Sequence, residues 1–304
     1  MSKILVSDSI AREGIEILRR NAHVVVDEKI TTDALLLSIP EYDALVVRSR
    51  TKVIAPIIEA ATRLRVIGRA GVGLDNIDTE AAARRGIAVV NSPVSAMVTV
   101  AEHTLGMMLA LARFIPQADA SLRKGAWEKN KFMGVELSGK TLGIIGLGRI
   151  GSMVAVRAAA FGMSVIAIDP YITRERALEF GATLLDSLDE LLAQSDFISI
   201  HTPLMAETHR LIGEKEIGKM KSTARIILCA RGGVVDEKAL LSALENKKIA
   251  GAALDVFENE PPGDNPLLRL PNVVVTPHLG AMTEEAQTRA AVEVAEQVVA
   301  ILNR

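Results

Sequence analysis

Two successive runs of alternating strands and helices constrain the fold of this 304-residue chain more than any other feature. Short β-branched segments alternate with Ala-rich segments of helical period, which is typical of parallel sheets covered by helices. Leu142–Ile145 and Ile226–Leu228 are continuously apolar, as expected for strands that are buried on both faces. We therefore predict an α/β fold with two doubly wound parallel-sheet domains, joined near residues 92–98.

The predicted strands form two sets, one in each domain. The first set is Lys3–Ser7, His23–Val26, Ala44–Arg48, Arg65–Gly68 and Ile87–Asn91. The second set is Thr141–Gly146, Ser164–Asp169, Phe197–His201, Arg225–Ala230, Gly251–Val256 and Val273–Thr276. Between the sets we predict a long helix over roughly Val98–Gln117, and then a stretch without clear periodicity, Ala120–Leu137. A last helix is predicted over about Glu284–Leu302, and the pattern alone does not assign it to either domain.

The charge and cysteine content exclude several classes of protein. A net charge of −2 gives no electrostatic reason to bind nucleic acid or an anionic membrane. The single cysteine, Cys229, cannot form an internal disulfide, which favours a reducing, cytoplasmic setting. The N-terminus has no apolar segment of the kind found in signal peptides. The apolar stretch Met97–Ile115 carries Glu102, His103 and Arg113, which indicates a buried helix rather than a membrane span.

A glycine motif with the context of a dinucleotide site lies at the start of the second run. Gly146-Leu147-Gly148-Arg149-Ile150-Gly151 follows one predicted strand and opens a predicted helix. The first glycine permits a tight turn, the second leaves room for a pyrophosphate, and the third lets the helix lie close to the strand. Amides at the helix start would then face the phosphates.

An acidic residue follows at the spacing expected for a ribose contact. Asp169 ends the next predicted strand, 21 residues after Gly148. A carboxylate there accepts hydrogen bonds from ribose hydroxyls and repels a 2′-phosphate, which favours NAD over NADP. The alternative is a plain glycine turn and an acid that caps a strand.

Polar groups cluster after three predicted strands of the second domain. They lie in the segments Cys229–Gly233, Asp255–Pro262 and Thr276–Gly280. Because the carboxyl ends of parallel strands face the ligand crevice, an Arg, a Glu and a His can converge there. Taken singly, each has another interpretation, namely a surface loop, a turn or a helix cap.

The complete set of sequence motifs resembles the D-2-hydroxyacid dehydrogenase family over essentially the whole chain. The matching motifs are Val47–Val53, Gly68–Asn76, Lys131–Gly134, Gly143–Gly151, Ala230–Gly233, Leu254–Phe257 and Pro277–Ala281. The resemblance implies a Rossmann NAD-binding domain over residues 96–284. It also implies a flavodoxin-like substrate domain formed by residues 1–95 and 285–304.

The resemblance implies a catalytic set of three residues. Arg231 would hold the substrate carboxylate and carbonyl, for which its planar guanidinium suits bidentate recognition. His278 would be the general acid and base. Glu260 would orient the imidazole and favour its charged form. Cys229 is not expected to act as a nucleophile, since hydride transfer needs no thiol.

The resemblance also implies residues that contact the cofactor and the substrate. The cofactor-binding set is Val72, Gly146, Gly148, Arg149, Ile150, Gly151, Asp169, Thr202, Pro203, Cys229, Arg231, Asp255, His278 and Gly280. The substrate-binding set is Arg48, Arg69, Lys129, Arg231 and His278. Two arginines in the first domain suit a phosphate on a three-carbon acid, whereas Lys129 has a solvated surface position as its alternative. His201 matches a position near the cofactor, while His23, His103 and His209 are expected to be structural or exposed.

The expected reaction is the NAD-dependent oxidation of 3-phospho-D-glycerate to 3-phosphohydroxypyruvate, the first step of serine biosynthesis. One alternative is a glyoxylate or hydroxypyruvate reductase, or another D-2-hydroxyacid dehydrogenase. A further alternative is an NAD-sensing protein of the co-repressor type. The resemblance implies a homodimer, or a tetramer, that uses the arm around Ala120–Leu137. No metal ion is expected, and no C-terminal regulatory domain is expected after Arg304.

Overall fold

The computed structural model describes residues 1–304 and contains two compact units. Unit 1 consists of Met1–Ala96 together with Ala281–Arg304, and unit 2 consists of Met97–Gly280. Each unit contains one sheet in which every strand pair is parallel. The predicted α/β class with two parallel sheets is therefore confirmed.

The strands agree closely with the sequence prediction, apart from one addition. They are β1 Lys3–Val6, β2 His23–Val26, β3 Ala44–Val47, β4 Val66–Arg69, β5 Ala88–Asn91, β6 Thr141–Ile145, β7 Ser164–Ile168, β8 Ala182–Leu184, β9 Phe197–Ile200, β10 Arg225–Leu228, β11 Gly251–Leu254 and β12 Val273–Val275. The strand β8 was not predicted, because three residues are too few to show a period in the sequence.

The helices lie between the strands. They are α1 Arg12–Asn21, α2 Thr32–Ser38, α3 Ala55–Ala60, α4 Thr79–Arg84, α5 Met97–Arg113, α6 Ile115–Arg123, α7 Arg149–Ala160, α8 Arg174–Glu179, α9 Leu188–Gln194, α10 Glu214–Ile217, α11 Glu237–Glu245 and α12 Glu284–Leu302. Short 3₁₀ helices are present at Ile39–Glu41, Lys129–Phe132 and Pro266–Arg269.

The sheet of unit 1 has the strand order β2-β1-β3-β4-β5. This is the flavodoxin-like order, in which the direction of strand addition reverses between β1 and β3. All four residues of β3 are buried, as expected for a central strand with helices on both faces. In sheets of this order, ligands bind outside the carboxyl ends of the strands at the point of reversal, which are β1 and β3 here.

Helix α12 packs within unit 1, which answers the question that the sequence pattern left open. It lies on α1 and on strands β4 and β5. A β-carbon at Gly14 would lie 2.6 Å from the carbonyl oxygen of Ala291, and one at Gly68 would lie 2.7 Å from Val294 and Val298. These two glycines therefore permit an approach that no larger residue allows.

The sheet of unit 2 has the strand order β12-β11-β10-β9-β6-β7-β8. Its first six strands in chain order have the classic Rossmann order of two mononucleotide-binding halves, and β12 extends one edge. The point of reversal lies between β6 and β9. The glycine motif follows β6, so the fold places it at the expected ligand crevice.

The long helix predicted over Val98–Gln117 is wrong in one respect, because it is broken at Phe114. This residue has a left-handed φ of 53° and separates α5 from α6. Pro116 has no N–H to donate to the carbonyl of Ala112, which instead accepts a hydrogen bond from Val135 N at 3.0 Å. The stretch predicted to lack periodicity is also partly helical, since α6 extends to Arg123.

No single helix has both the length and the apolar character needed to cross a membrane. Helices α5 and α6 meet the two criteria only when taken together, and the chain bends by 62° between them.

Candidate active site

The glycine motif forms a tight turn between β6 and α7. Gly146 has a left-handed φ of 90°, and a β-carbon there would lie 3.1 Å from the backbone carbonyl of His201. A β-carbon at Gly151 would lie 2.1 Å from the carbonyl oxygen of Gly146. The first glycine therefore serves the turn, and the third allows the helix to lie against the strand, as the sequence predicts.

The surroundings of Gly148 fit a bound pyrophosphate. This residue is the N-cap of α7, and no side chain caps the first turn of the helix. A β-carbon at Gly148 would meet no other atom within 4 Å. The open space and the uncapped amides of Arg149 and Ile150 together form a cradle for an anion.

Asp169 holds the glycine turn from the neighbouring strand. Its Oδ2 accepts a hydrogen bond from Leu147 N at 2.8 Å, and its Oδ1 accepts one from Tyr171 N at 2.8 Å. Each carboxylate oxygen can accept further hydrogen bonds, so these contacts are compatible with a ribose ligand. The structure thus gives Asp169 a positioning role that spacing alone does not indicate.

His201 and Thr202 follow β9 on the other side of the switch point. His201 Nδ1 and Thr202 Oγ1 are buried and have no hydrogen-bond partner in the protein, whereas His201 Nε2 lies 2.8 Å from Ser199 Oγ. Burial lowers the pKa of the His201 imidazole to about 4. The ring is therefore neutral at physiological pH, and two polar atoms near the glycine turn are left for a ligand.

The depressed pKa of His201 makes acid destabilising. The imidazole has an ordinary pKa of 6.5 in the unfolded chain and about 4 in the folded one. Between these values the unfolded state binds more protons, so the free energy of unfolding falls as the pH falls from 6.5 to 4, by up to about 3 kcal/mol. We expect His201→Asn to lose less stability in this window than the unsubstituted chain. Denaturant titrations at pH 7, 5 and 4 measure this, with the exposed His23→Asn as the control; equal losses in all three proteins contradict it.

The predicted catalytic histidine and glutamate are in contact. His278 Nδ1 lies 2.7 Å from Glu260 Oε2, and Glu260 Oε1 accepts a hydrogen bond from Phe257 N at 3.2 Å. Burial raises the pKa of the Glu260 carboxyl, but the hydrogen bond and charge of His278 more than offset this, so that the pKa is lowered. The carboxylate is therefore ionised and orients the ring. The pair borders a cavity of about 360 Å³ lined mainly by apolar side chains.

The backbone of His278 is held by Asp255. His278 has a left-handed φ of 54°, a conformation that costs a non-glycine residue on the order of 1 kcal/mol. His278 N donates to the carbonyl oxygen of Asp255 at 2.9 Å. The fully buried carboxylate of Asp255 accepts hydrogen bonds from Leu279 N at 2.7 Å and Gly280 N at 2.8 Å. These three bonds fix the turn that carries the imidazole.

His103 has a place beside this turn that sequence reasoning missed. Its Nε2 lies 3.2 Å from Asp255 Oδ1 and 3.2 Å from Thr276 Oγ1. Burial raises the pKa of Asp255, but hydrogen bonds from His103 and Thr276 more than offset this and lower it. No spacing signal could have found this contact, since α5 and β11 are far apart in the chain.

Arg231 lies in the loop that follows β10. Its Nη1 donates to the carbonyl oxygen of Ala230 at 2.7 Å, which orients the guanidinium. A β-carbon at the next residue, Gly232, would lie 1.8 Å from the carbonyl oxygen of Phe257. The glycine therefore lets the loops after β10 and β11 touch. The fold thus brings the loops of Arg231, Glu260 and His278 to the carboxyl edge of one sheet.

Cys229 is buried at the end of β10. Burial and the nearby charge of Asp255 raise the pKa of its thiol to about 12. We expect the native protein to react with Ellman's reagent at pH 8 at less than about 1% of the rate of the unfolded chain, because the thiolate is the nucleophile. Absorbance at 412 nm with and without guanidinium measures both rates. Equal rates contradict the assignment of Cys229 as an inert apolar residue.

The remaining predicted residues lie elsewhere in the chain. Arg48 and Arg69 are at the carboxyl ends of β3 and β4 in unit 1, and the carbonyl of Val72 accepts a hydrogen bond from Asn91 Nδ2 at 2.5 Å. Arg69 folds over Gly71, where a β-carbon would overlap its guanidinium. Lys129 is exposed at the start of a 3₁₀ helix in unit 2. Their contacts with substrate or cofactor stay predictions.

The strand order, the glycine turn and an aspartate at the end of β7 together define unit 2 as a Rossmann dinucleotide-binding domain. Residues 105–280 match the family described as "D-isomer specific 2-hydroxyacid dehydrogenase, NAD binding domain". The chain belongs to this family. The predicted NAD cofactor is confirmed.

Relatives and solved structures are similar over nearly the whole chain. The D-3-phosphoglycerate dehydrogenase of Methanocaldococcus jannaschii is 55% identical over 302 residues, which are 99% of this chain and 58% of that protein. The chain spans 54–58% of the length of this and two further curated relatives, both also D-3-phosphoglycerate dehydrogenases. The TT0316 protein of Thermus thermophilus is 36% identical with a TM-score of 0.91, over 99% of this chain and 97% of that one. A D-lactate dehydrogenase of Aquifex aeolicus complexed with NAD and lactic acid is 31% identical with a TM-score of 0.86, over 99% and 95% of the two chains.

Proposed function

We propose that the chain oxidises 3-phospho-D-glycerate to 3-phosphohydroxypyruvate with NAD, the first step of serine biosynthesis. The observation that carries the proposal is the His278–Glu260 pair, 2.7 Å apart at the carboxyl edge of a Rossmann sheet. The substrate class follows from the similarity to phosphoglycerate dehydrogenases at 55% and 53% identity.

The proposed reaction assigns one role to each residue of the catalytic set. NAD supplies the hydride acceptor when bound. His278 accepts the proton of the C2 hydroxyl on Nε2, because Nδ1 is held by Glu260. Glu260 keeps the ring oriented and stabilises its charge after the proton arrives. Arg231 binds the substrate carboxylate and polarises the developing carbonyl at C2.

Two arginines of unit 1 are proposed to bind the phosphate group. Arg48 and Arg69 each end or follow a strand of the first sheet, where the carboxyl ends face the ligand crevice. A guanidinium binds a phosphate through two parallel hydrogen bonds. Lys129 is proposed to add a third positive charge, from a neighbouring subunit.

A second copy of the chain is the proposed protein partner. Trp127 and Met133 lie in the arm of unit 2 and are 82% and 81% exposed. Large apolar side chains that are exposed together are typical of protein interfaces. Multi-angle light scattering of the purified protein tests whether it is a dimer or a tetramer.

A cytoplasmic location is proposed from the single cysteine alone.

The experiment that tests the function is a comparison of three acids. NADH formation is measured with 3-phospho-D-glycerate, D-glycerate and D-lactate at equal concentrations. We expect the phosphorylated acid to have the highest kcat/KM. Equal values for all three acids contradict the phosphate assignment, and no turnover of any acid favours an NAD-binding protein without this activity.

A further inference from the structure

The loop that carries Arg48 lies at the switch point of the first sheet. Residues 48–51 follow β3, and Ser7 and Asp8 follow β1, which is the strand beside β3 in the sheet. The order of the strands reverses between these two, so a ligand crevice is expected there. The residues that shape this loop are therefore placed to act on a ligand.

Asp8 binds the loop from one side. Its side chain is only 3% exposed, and its carboxylate accepts hydrogen bonds from Arg48 N at 2.6 Å and Thr51 N at 3.1 Å. It also accepts one from Thr51 Oγ1 at 2.6 Å. Arg50 Nε lies 3.1 Å from the same carboxylate and provides the opposite charge that a buried anion needs.

Asn76 binds the same two residues from the other side. Its Nδ2 donates to the carbonyl oxygen of Arg48 at 3.0 Å and to that of Thr51 at 2.7 Å. In both residues, Asp8 thus accepts the hydrogen bond of the backbone N–H, and Asn76 donates one to the backbone carbonyl. We call Asp8 and Asn76 the loop clamp.

The guanidinium groups of the two arginines in the loop make different contacts. Arg50 donates to the carbonyl oxygens of Ser7 at 2.5 Å and Ile30 at 3.1 Å, so its guanidinium is used within unit 1. Arg48 makes its clamp contacts through its backbone only, and its guanidinium lies against the sulfur of the exposed Met282. The clamp therefore fixes the backbone of Arg48 and leaves its charge for another group.

We propose that Asp8 and Asn76 are positioning residues that preset the Arg48 loop for a phosphorylated substrate. This inference rests on the proposed function, because it takes Arg48 as the phosphate contact. A loop that is ordered before binding does not lose conformational freedom when the anion arrives, so the contact contributes more to affinity. The clamp then determines selectivity for phosphorylated over unphosphorylated 2-hydroxy acids without touching either.

The test compares Asp8→Asn with a matched control. In Asp8→Asn we expect KM for 3-phospho-D-glycerate to rise about tenfold, with kcat within about threefold and the Kd of NADH unchanged. KM for D-glycerate, which lacks the phosphate, is expected to change less than about threefold. Asp43→Asn is the control, since Asp43 also accepts from a backbone amide, Lys3 N at 2.7 Å, and pairs with Arg63 at 3.1 Å. Asp43 lies at the amino end of β3, opposite to the loop.

A second variant keeps the inference falsifiable if Asp8→Asn folds poorly. Asn76→Asp places a carboxylate against two carbonyl oxygens, so it is expected to speed amide hydrogen exchange at residues 48–51 and to raise the same KM. Equal KM changes for the two acids, or changes no larger than those of Asp43→Asn, overturn the clamp. Absence of 3-phospho-D-glycerate turnover in the unsubstituted chain overturns the proposed function instead. In that case, calorimetric titration of 3-phospho-D-glycerate into each variant measures its Kd without turnover, and the comparison of these Kd values tests the clamp independently of the reaction.

Discussion

His278→Gln is expected to lower kcat about 10³-fold, because a general base contributes roughly 10²- to 10⁴-fold to such a reaction. Glutamine can still hydrogen bond but cannot accept the hydroxyl proton at neutral pH. NADH affinity is expected to stay within about threefold, since the substitution leaves the proposed pyrophosphate site at Gly148 unchanged. Steady-state rates and fluorescence titration of NADH measure the two quantities.

The control for this substitution is the same change at an exposed histidine. His209→Gln lies in the loop after β9 and is expected to keep full activity. A His278→Gln protein with more than about a tenth of the original kcat contradicts the role of His278 as the base. Loss of NADH binding in the same variant indicates a structural effect on the turn held by Asp255 instead.

Gly148→Val is expected to weaken NADH binding about 30-fold, or about 2 kcal/mol, without loss of thermal stability. A β-carbon at Gly148 meets no protein atom within 4 Å, so the side chain occupies the space proposed for the pyrophosphate. Gly151→Ala is expected to affect thermal stability instead, because its β-carbon would lie 2.1 Å from the carbonyl oxygen of Gly146. It is expected to lower Tm by several degrees.

Gly106→Ala provides a reference for both glycine variants. Gly106 lies in α5 with no atom within 4 Å of its built β-carbon, so alanine there is expected to keep NADH affinity and to raise helix stability slightly. Calorimetric Kd values and melting curves separate the three cases. Unchanged NADH affinity in Gly148→Val contradicts the location of the cofactor.

The parts of the site that sequence could predict are those with a local physical cause. The glycine turn is one of them, because a left-handed Gly146 and a close approach at Gly151 restrict both residue type and spacing. Likewise, the carboxyl ends of parallel strands lie at one edge of a sheet, so the sequence predicts that Arg231, Glu260 and His278 share that edge. The helix break at Phe114 could also have been predicted, because Pro116 interrupts the hydrogen bonding of a continuous helix.

The parts that sequence could not predict depend on contacts between distant segments. His103 shows only helical periodicity in the sequence, and its place beside Asp255 depends on how α5 lies on β11 and β12. In the sequence, Asp8 is simply the residue after a predicted strand. Nothing in the neighbouring residues indicates that its carboxylate accepts hydrogen bonds from the amides of residues 48 and 51. Such partners are determined by the angle and the distance at which helices and strands pack. These quantities cannot be obtained from the pattern of a single sequence.

The position of α12 has a consequence for the order in which the chain folds during synthesis. Unit 2 is one continuous segment, so all of its residues have been made before translation reaches residue 281. Unit 1 begins first but needs residues 281–304 to cover Gly14 and Gly68. The first sheet therefore stays without the α12 part of one face, which α1 covers only in part, until the complete Rossmann unit has been synthesised.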